Sequence, residues 1–325
     1  MVSRRLIGPD ILRNLCCLGV VVYHVFDDII VFEAGSIYVG TLIYFLASFC
    51  VSGFFMLSGY LAGKKKEMSV LYPVRKIADT LIKYSFWLIV ARAVRYLCGR
   101  PLLPLAEDFC ESFMAGGSLP AAWFLFTYMI IMVLSYFLHL VLNRNLKIFA
   151  AATLFMLVFS AVPNPYNMMN RAQQFWIPLY TAFFMTGMLI SRTEKHFSGT
   201  KAKLLMCAAN VAAFAVYMFN VFSAAEFTFP HTHYNRYYYI VWLITLFILI
   251  CGTDIHSEKL SCAISFMAKG SFTVYMFHLS VLRIVGLVFV YKGIIQASAV
   301  TVGAFILCQF ISAVMRKIPL LKFVA

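Results

Sequence analysis

The sequence predicts an all-α, polytopic membrane protein with about ten transmembrane helices. Three observations predict this fold class: 62% of the 325 residues are hydrophobic, only 12% are charged, and long apolar runs recur along the chain. A soluble domain carries about twice that charged fraction. The mean hydropathy of +0.86 and the aromatic content of 17% are also typical of helices that lie in lipid.

Ten apolar runs approach or reach the length that crosses a bilayer, which takes about 20 helical residues. They lie at roughly 11–31, 42–62, 80–97, 122–142, 147–162, 176–191, 203–222, 237–252, 272–291 and 295–314. The fifth and eighth runs are short. Because ten is an even number, both termini are expected on the same side. We expect a single membrane domain over residues 1–325, without a fused soluble domain.

The basic residues distinguish the two sides of this layout. Most of them lie in one set of loops, which includes the termini, whereas the alternate loops hold only Arg100, Arg171, Arg236 and Lys292. Because cytoplasmic loops carry an excess of Lys and Arg, both termini are predicted to be cytoplasmic. The chain is therefore expected in the inner or plasma membrane. A nucleic-acid partner is not needed to explain the net charge of +14, since the basic residues do not form one stripe.

Two ionisable residues, Arg13 and His24, lie inside the first run, which reads DILRNLCCLGVVVYHVFDD. A step of eleven residues is close to three helical turns, so we expect both side chains on one face, roughly 16 Å apart along the axis. Ionisable residues inside a span usually mark function, although Arg13 can instead snorkel to the interface and His24 can be a packing residue. Asp27 and Asp28 follow His24 by three and four residues and either orient the imidazole or cap the helix. The capping role is the weaker one, because carboxylates favour helix N-termini.

Two later runs also carry polar residues. The second ends FFMLSGYLAG, which places Ser58, Gly59 and Tyr60 near the cytoplasmic face, either as close helix-packing residues or as a binding segment. The ninth reads SFTVYMFHLSVLRIV and places His278 and Arg283 within the membrane. A structural hydrogen bond and a catalytic role both fit His278.

Three further features are weaker signals. Trp123 begins the fourth run and is either an interfacial belt residue or a site residue. An outer loop contains His231 and His233, but without a third ligand the pair is little evidence for metal, and no metal is predicted. Cys98 and Cys110 share one predicted loop and can form a disulfide if that loop is extracytoplasmic.

These motifs together resemble the acyltransferase-3 family of integral-membrane acyltransferases, which includes O-acetyltransferases of O-antigen and exopolysaccharide. The resemblance is carried, in order, by the Arg-x10-His element of the first helix, FFMLSGYL, the WFL start of the fourth helix, and SFTVYMFH, which is similar to the family's Y-x-x-H. It extends over essentially the whole chain with the same ten-helix plan. The stretch PVRKIADTLIKY departs from the richer Arg-and-Pro pattern of the family, so a role carries over to Arg75 less firmly than to Arg13.

The resemblance implies transfer of an acyl group, usually acetyl, from cytoplasmic acyl-CoA to a carbohydrate hydroxyl at or beyond the outer face. The acceptor would be an envelope glycan such as O-antigen, capsule or exopolysaccharide, free or lipid-linked. His24 then acts either as a general base or as a nucleophile that carries the acyl group. The residues expected to bind the donor are Arg13, Ser58, Gly59, Tyr60, Arg75 and Lys76.

A transporter or exporter without acyl-transfer chemistry is the alternative. Intramembrane His and Arg residues also occur in proton-coupled carriers. Against this alternative, the sequence offers no pair of broken helices in corresponding halves. Lys64, Lys65 and Lys66, which follow the second run, do not distinguish an acyltransferase from a transporter. The excess of positive charge expected in any cytoplasmic loop accounts for most of them.

Overall fold

The computed structural model describes residues 7–32, 37–162, 176–223, 233–290 and 293–325, with the side chains of 28–32 and 37 left out. Helices account for 83% of the structure, and the described residues contain no strand. The prediction of an all-α fold is therefore confirmed.

Thirteen helices are described: α1 (Ile7–Phe32), α2 (Ile37–Ala47), α3 (Phe49–Gly63), α4 (Leu71–Leu97), α5 (Leu105–Phe113), α6 (Trp123–Arg144), α7 (Leu146–Ala161), α8 (Ile177–Thr193), α9 (Thr200–Ser223), α10 (Tyr237–Cys251), α11 (Glu258–Ala268), α12 (Ser271–Val288) and α13 (Gly293–Met315). Short 3₁₀ turns precede α6 (Pro120–Ala122) and follow α8 (Glu194–Phe197). Every predicted apolar run overlaps a helix. The second run covers two helices, because the chain is interrupted at Ser48, whose backbone N–H and hydroxyl both donate to the Phe45 carbonyl, three residues back.

Six described segments are long and apolar enough to cross a membrane: Ile7–Asp27, Tyr38–Gly63, Pro120–Arg144, Thr200–Ser223, Ser271–Val288 and Gly293–Met315. Two further apolar helices, α7 and α10, are shorter. The long helix α4 is interspersed with charges, namely Arg75, Lys76, Asp79, Lys83, Arg92 and Arg95. The chain is thus a multi-pass membrane protein, while the count of ten spans and the cytoplasmic position of both termini stay predictions.

The chain packs as two compact units, each built from separate stretches of sequence. The first unit consists of Met1–Arg13, Val51–Pro73 and Ile131–Ser265, and the second of Asn14–Cys50, Val74–Ile130 and Phe266–Ala325. The single domain expected over residues 1–325 stays a prediction.

In the first unit, α3 and α8 meet through two glycines. A Cβ on Gly59 would lie 1.9 Å from the Phe184 carbonyl oxygen, and a Cβ on Gly187 would lie 1.9 Å from the Met56 carbonyl oxygen. Glycine allows two helix backbones to approach this closely in a membrane protein. In the same unit α7 packs on α8, and α9 packs on α10.

In the second unit, α12 packs on α13, and the indole N–H of Trp87 donates to the Val324 carbonyl at 3.0 Å. The disulfide considered between Cys98 and Cys110 is not formed. Both thiols are free, with Cys98 half-buried and Cys110 exposed on α5. Sharing a loop did not bring the two sulfurs together, because residues 105–113 form a helix that turns Cys110 toward solvent.

Replacing Gly187 by Ala should lower the thermal stability of the purified protein, because the new methyl group must push α3 and α8 apart. Overpacking of this kind costs about 1–3 kcal/mol. Gly303→Ala on α13 is the matched control, since nothing lies within 4 Å of a Cβ at that position. The measurement is the melting temperature in detergent. Equal melting of Gly187→Ala and wild type would contradict the close approach of the two helices.

Candidate functional site

His24 on α1 and His278 on α12 lie side by side in the second unit. Their ring centroids are 5.2 Å apart and their planes are inclined by 31°. His278 is fully buried, and His24 is partly accessible. The sequence indicated each histidine separately, but it carried no signal that the two rings meet.

Backbone carbonyls determine the tautomer of His278. Its Nδ1 lies 2.7 Å from the Tyr275 oxygen and 3.1 Å from the Val274 oxygen. Because a carbonyl only accepts, Nδ1 carries the hydrogen, and the neutral ring then has its lone pair on Nε2. This Nε2 is buried and has no hydrogen-bond partner among the described residues. His278 therefore presents an unused proton acceptor in the interior of the second unit.

Tyr275 connects His278 to the segment before α6. Its hydroxyl donates to the Ala121 carbonyl at 3.1 Å, and its ring lies 5.1 Å from that of Phe124. Trp123 begins α6 directly after this turn, is partly accessible, and has its ring 6.5 Å from Phe124. The 3₁₀ turn before α6 thus helps to fix Tyr275, the residue whose carbonyl accepts the hydrogen bond from His278.

A buried carboxylate, Asp108, organises the same segment. It accepts hydrogen bonds from Arg92 Nη1 at 2.5 Å and from the backbone N–H and hydroxyl of Ser118 at 2.6 Å each. Gly117 adopts a φ of +60° and lies so close that a Cβ would be 2.5 Å from the carboxylate. Burial alone would raise the pKa of Asp108, but the bonds from Ser118 and Arg92 outweigh it and hold the pKa below its usual range. This network was not predictable, because nothing local in the sequence indicates that residues 108–118 fold back on Arg92.

The carboxylates expected to orient His24 have the following positions. Asp27 Oδ1 accepts a hydrogen bond from the Tyr44 hydroxyl at 2.9 Å. The ring of Tyr44 lies 4.6 Å from Tyr23, whose edge faces His24 at 5.7 Å. Asp28 lies on α1, but its side chain is outside the described residues. Orientation of His24 by either carboxylate stays a prediction.

Arg13 lies on the part of α1 that belongs to the first unit. Its Nη1 is 3.4 Å from Asp10 Oδ1, and Asp10 also accepts a hydrogen bond from the Ser265 hydroxyl at 2.8 Å. Asp10 was not a sequence candidate, although the three-residue spacing between Asp10 and Arg13 is typical of a helical ion pair. A contact between Arg13 and an acyl donor stays a prediction.

A cavity of about 390 Å³ lies in the first unit where several helices end. Its wall includes Gly8, Tyr60, Glu194, Lys203, Cys251 and Asp254. The predicted topology places these helix ends at the cytoplasmic face. The wall of the cavity thus carries ionisable side chains of both signs, with Glu194 and Asp254 as acids and Lys203 as a base.

Tyr60 and Lys64 both bind Glu194 at this cavity. The Tyr60 hydroxyl donates to Glu194 Oε2 at 2.7 Å, and Lys64 Nζ lies 2.5 Å from Oε1. Burial alone would raise the pKa of Glu194, but the bonds from Lys64 and Tyr60 lower it overall. Glu194 was not a sequence candidate, because its partners lie about 130 residues earlier in the chain.

The remaining donor candidates are dispersed. Ser58 is half-buried on α3, and Gly59 is the residue that contacts α8. Arg75 and Lys76 are exposed near the start of α4, in the second unit. Their roles in donor binding stay predictions.

Of the two histidines considered for metal, His231 lies outside the described residues. His233 Nδ1 is 2.7 Å from the Tyr238 hydroxyl. The described part of the chain contains no group of three or more His, Cys, Asp or Glu side chains that could hold a metal ion.

Comparison with known proteins identifies one family. A protein-family model described as an acyltransferase domain matches residues 6–313, nearly the whole chain. No curated protein and no solved structure matches. The matched range contains both histidines and the cavity.

Replacing Asp108 by Asn should destabilise the protein, because the amide cannot neutralise Arg92 in a buried position. Breaking a buried pair by removing one partner costs about 3–5 kcal/mol. The folded pKa of Asp108 is below the reference value of 3.8. The stabilisation is therefore complete above about pH 4 and is lost as the pH falls through the folded pKa.

Melting temperatures in detergent measured against pH test this prediction. The gap between wild type and Asp108→Asn should be wide at neutral pH and narrow below about pH 4. Glu107→Gln, an exposed carboxylate on the same helix, should leave the melting temperature unchanged. A gap that stays constant at acidic pH would exclude the ionised Asp108 as its source.

Proposed function

Because the chain belongs to the acyltransferase-3 family of membrane acyltransferases, we propose that it is an O-acetyltransferase of an envelope carbohydrate. It takes an acyl group, usually acetyl in this family, from cytoplasmic acyl-CoA and transfers it to a hydroxyl of O-antigen, capsule or exopolysaccharide, free or lipid-linked. Acetyl-CoA is the donor co-substrate, and the inner membrane is the proposed location. The observation that carries the proposal is the pair of imidazoles, His24 and His278, inside the matched domain.

The two rings have the chemistry that acyl transfer needs. The acceptor hydroxyl must lose its proton as its oxygen bonds to the thioester carbonyl carbon, and the CoA sulfur must gain a proton as the C–S bond breaks. A neutral imidazole with an open lone pair can take the first proton, and an imidazolium can deliver the second. Nε2 of His278 carries such a lone pair, and the ring of His24, a partly accessible residue, lies next to it.

Two routes use this pair. In direct transfer, an imidazole is the general base and the acceptor oxygen attacks the thioester. In the two-step route, a nitrogen of His24 attacks first, forms an acyl-imidazole and releases CoA, and the acceptor then attacks this intermediate. His278 accepts a proton in either route.

The cavity of the first unit suits the charged part of the donor. Lys195 and Lys203 line it, and cationic side chains bind phosphates. Lys64 is held by Glu194, so donor phosphates would compete with that carboxylate. Tyr60, from the FFMLSGYL element, also lines the cavity.

His24→Ala should abolish transfer without loss of expression or membrane insertion. His278→Asn keeps a donor in place of Nδ1 but removes Nε2, so we expect the rate to fall by about 10²–10⁴-fold. The assay supplies radiolabelled acetyl-CoA to the cytoplasmic face of membrane vesicles that contain the cognate acceptor glycan. In vesicles that lack the acceptor glycan, trapping of labelled protein would identify the two-step route.

His256→Asn, an exposed histidine, is the matched control and should transfer at the wild-type rate. Full activity of His24→Ala would remove this residue from catalysis. If well-folded wild type moves no label into glycan, the transport alternative is favoured, and the interruption at Ser48 between α2 and α3 would become its first candidate site.

Acetyl-CoA should protect Cys251 from alkylation, because this cysteine lines the cavity proposed for the donor. The thioester is used because free CoA is a thiol that would itself consume the reagent. The measurement is the rate of modification by a water-soluble maleimide, read for each cysteine peptide by mass spectrometry. Cys110, exposed on α5, is the internal control and should react equally fast with and without acetyl-CoA. Protection should weaken in Lys203→Gln and with S-acetylpantetheine, which lacks the phosphates. Identical rates at Cys251 with and without acetyl-CoA would place the donor elsewhere.

A further inference from the structure

Four arginines lie toward the ends of α4 and α12 that the predicted topology assigns to the outer face. They are Arg92, Arg95, Arg100 and Arg283. The positive-inside rule disfavours cations on that side, and a guanidinium within a span is costly unless it has a partner. The cluster therefore requires an explanation other than topology.

Two of these arginines have partners within the protein. Arg92 pairs with the buried carboxylate of Asp108. Arg95 donates to two neutral carbonyls, those of Pro101 and Gly117, each at 2.8 Å. The charge of Arg92 is thus balanced, whereas Arg95 is held in place with its charge intact.

Arg283 is in a different situation. The ionisable side chains that act on it within the described structure are Arg95, Cys98 and Arg100, and the two arginines are cations. Its Nη1 is buried and has no hydrogen-bond partner among the described residues. The carboxylates of nearby α5 other than Asp108, Glu107 and Glu111, are exposed to solvent. A buried guanidinium nitrogen beside two other cations is a strong attractor for an anion.

The surface next to Arg283 is apolar and exposed, which narrows the class of anion. The exposed fractions are 43% for Ile284, 60% for Leu287 and 85% for Val288, and at the end of α4 they are 70% for Tyr96 and 81% for Leu97. Hydrocarbon chains cover such a surface in a bilayer. A ligand that carries both a phosphate and lipid chains fits this combination, whereas a free anion would use only the charge.

We propose that Arg283, supported by Arg95 and Arg100, binds the phosphate of a lipid in the outer leaflet. A guanidinium offers two parallel N–H donors that match two phosphate oxygens. Two lipids carry this group: a phospholipid, and the diphosphate carrier of a lipid-linked acceptor. The second source rests on the proposed function.

Lipid binding can be measured without any turnover, so this site and the acyl-transfer proposal fail separately. Purified protein is titrated with phosphatidylglycerol or with a polyprenyl diphosphate, and native mass spectrometry counts the bound lipids. Arg283→Gln should weaken binding by about tenfold or more, the usual cost of losing a hydrogen bond to a charged group. Arg283→Lys should bind lipid more tightly than Arg283→Gln but less tightly than wild type. The lysine restores the positive charge but not the two parallel N–H donors of the guanidinium. The control is Arg144→Gln, which changes an exposed arginine at the end of α6 that the predicted topology assigns to the cytoplasmic face. This variant should bind lipid as wild type does.

The outcomes distinguish the two sources. Tighter binding of the diphosphate than of phosphatidylglycerol, lost in Arg283→Gln, identifies the acceptor carrier. Equal binding of both, again lost in the variant, identifies a phospholipid site. Wild-type binding by a folded Arg283→Gln overturns the proposal. If this variant does not fold, Arg100→Gln carries the test, because the side chain is exposed, and unchanged binding there also overturns it.

Discussion

A polar group inside a bilayer must find its partner within the protein, because hydrocarbon offers none. The helices satisfy their own backbones, and several buried hydroxyls do the same. Thr153, Thr186 and Thr245 each donate to the carbonyl four residues earlier, at 2.8 Å. Other buried polar atoms have no hydrogen-bond partner in the part of the chain that the structure describes. Nε2 of His278 and Nη1 of Arg283 are two of them, and both lie on α12.

The two atoms differ in the kind of ligand group that would satisfy them. The guanidinium of Arg283 is a permanent cation, so it demands an anion. The imidazole of His278 is neutral in the tautomer that the Tyr275 carbonyl enforces, so it demands only a proton donor, such as a hydroxyl. Five positions separate the two residues, which turns their side chains about 140° apart around the helix axis. In the proposed reaction, a lipid-linked glycan supplies both a phosphate and a hydroxyl, and it would have to reach around α12 to meet both groups.

The helices were predictable because the signal for a span is local: a run of apolar residues suffices, and every predicted run overlaps a helix. The catalytic candidates were predictable as single residues, since charge within such a run is conspicuous. Their partners were not. Periodicity tells which face of a helix a residue occupies, but it does not tell which helix covers that face. The contacts of His24 with His278 and of Tyr60 with Glu194 join residues far apart in sequence. The break at Ser48 involves only the bonds of its backbone N–H and hydroxyl to the Phe45 carbonyl, which no hydropathy pattern indicates.

Positive charge in this chain has two forms, and the difference bears on function. The loop cations Arg75 and Lys76 are exposed, as expected where charge serves topology and needs no fixed geometry. Arg92 and Arg95 are held by a carboxylate and by carbonyls, which costs side-chain entropy and is worthwhile only where position matters. Asp108 balances the charge of Arg92, whereas Arg95 is held at the predicted outer side by two neutral carbonyls. A fixed cation there, where topology gains nothing from it, favours a role in holding a ligand. In the proposed reaction with a lipid-linked acceptor, the phosphates of the donor and of the acceptor carrier approach from opposite faces. Of the two anion sites that this would need, only the outer one is disfavoured by the positive-inside rule.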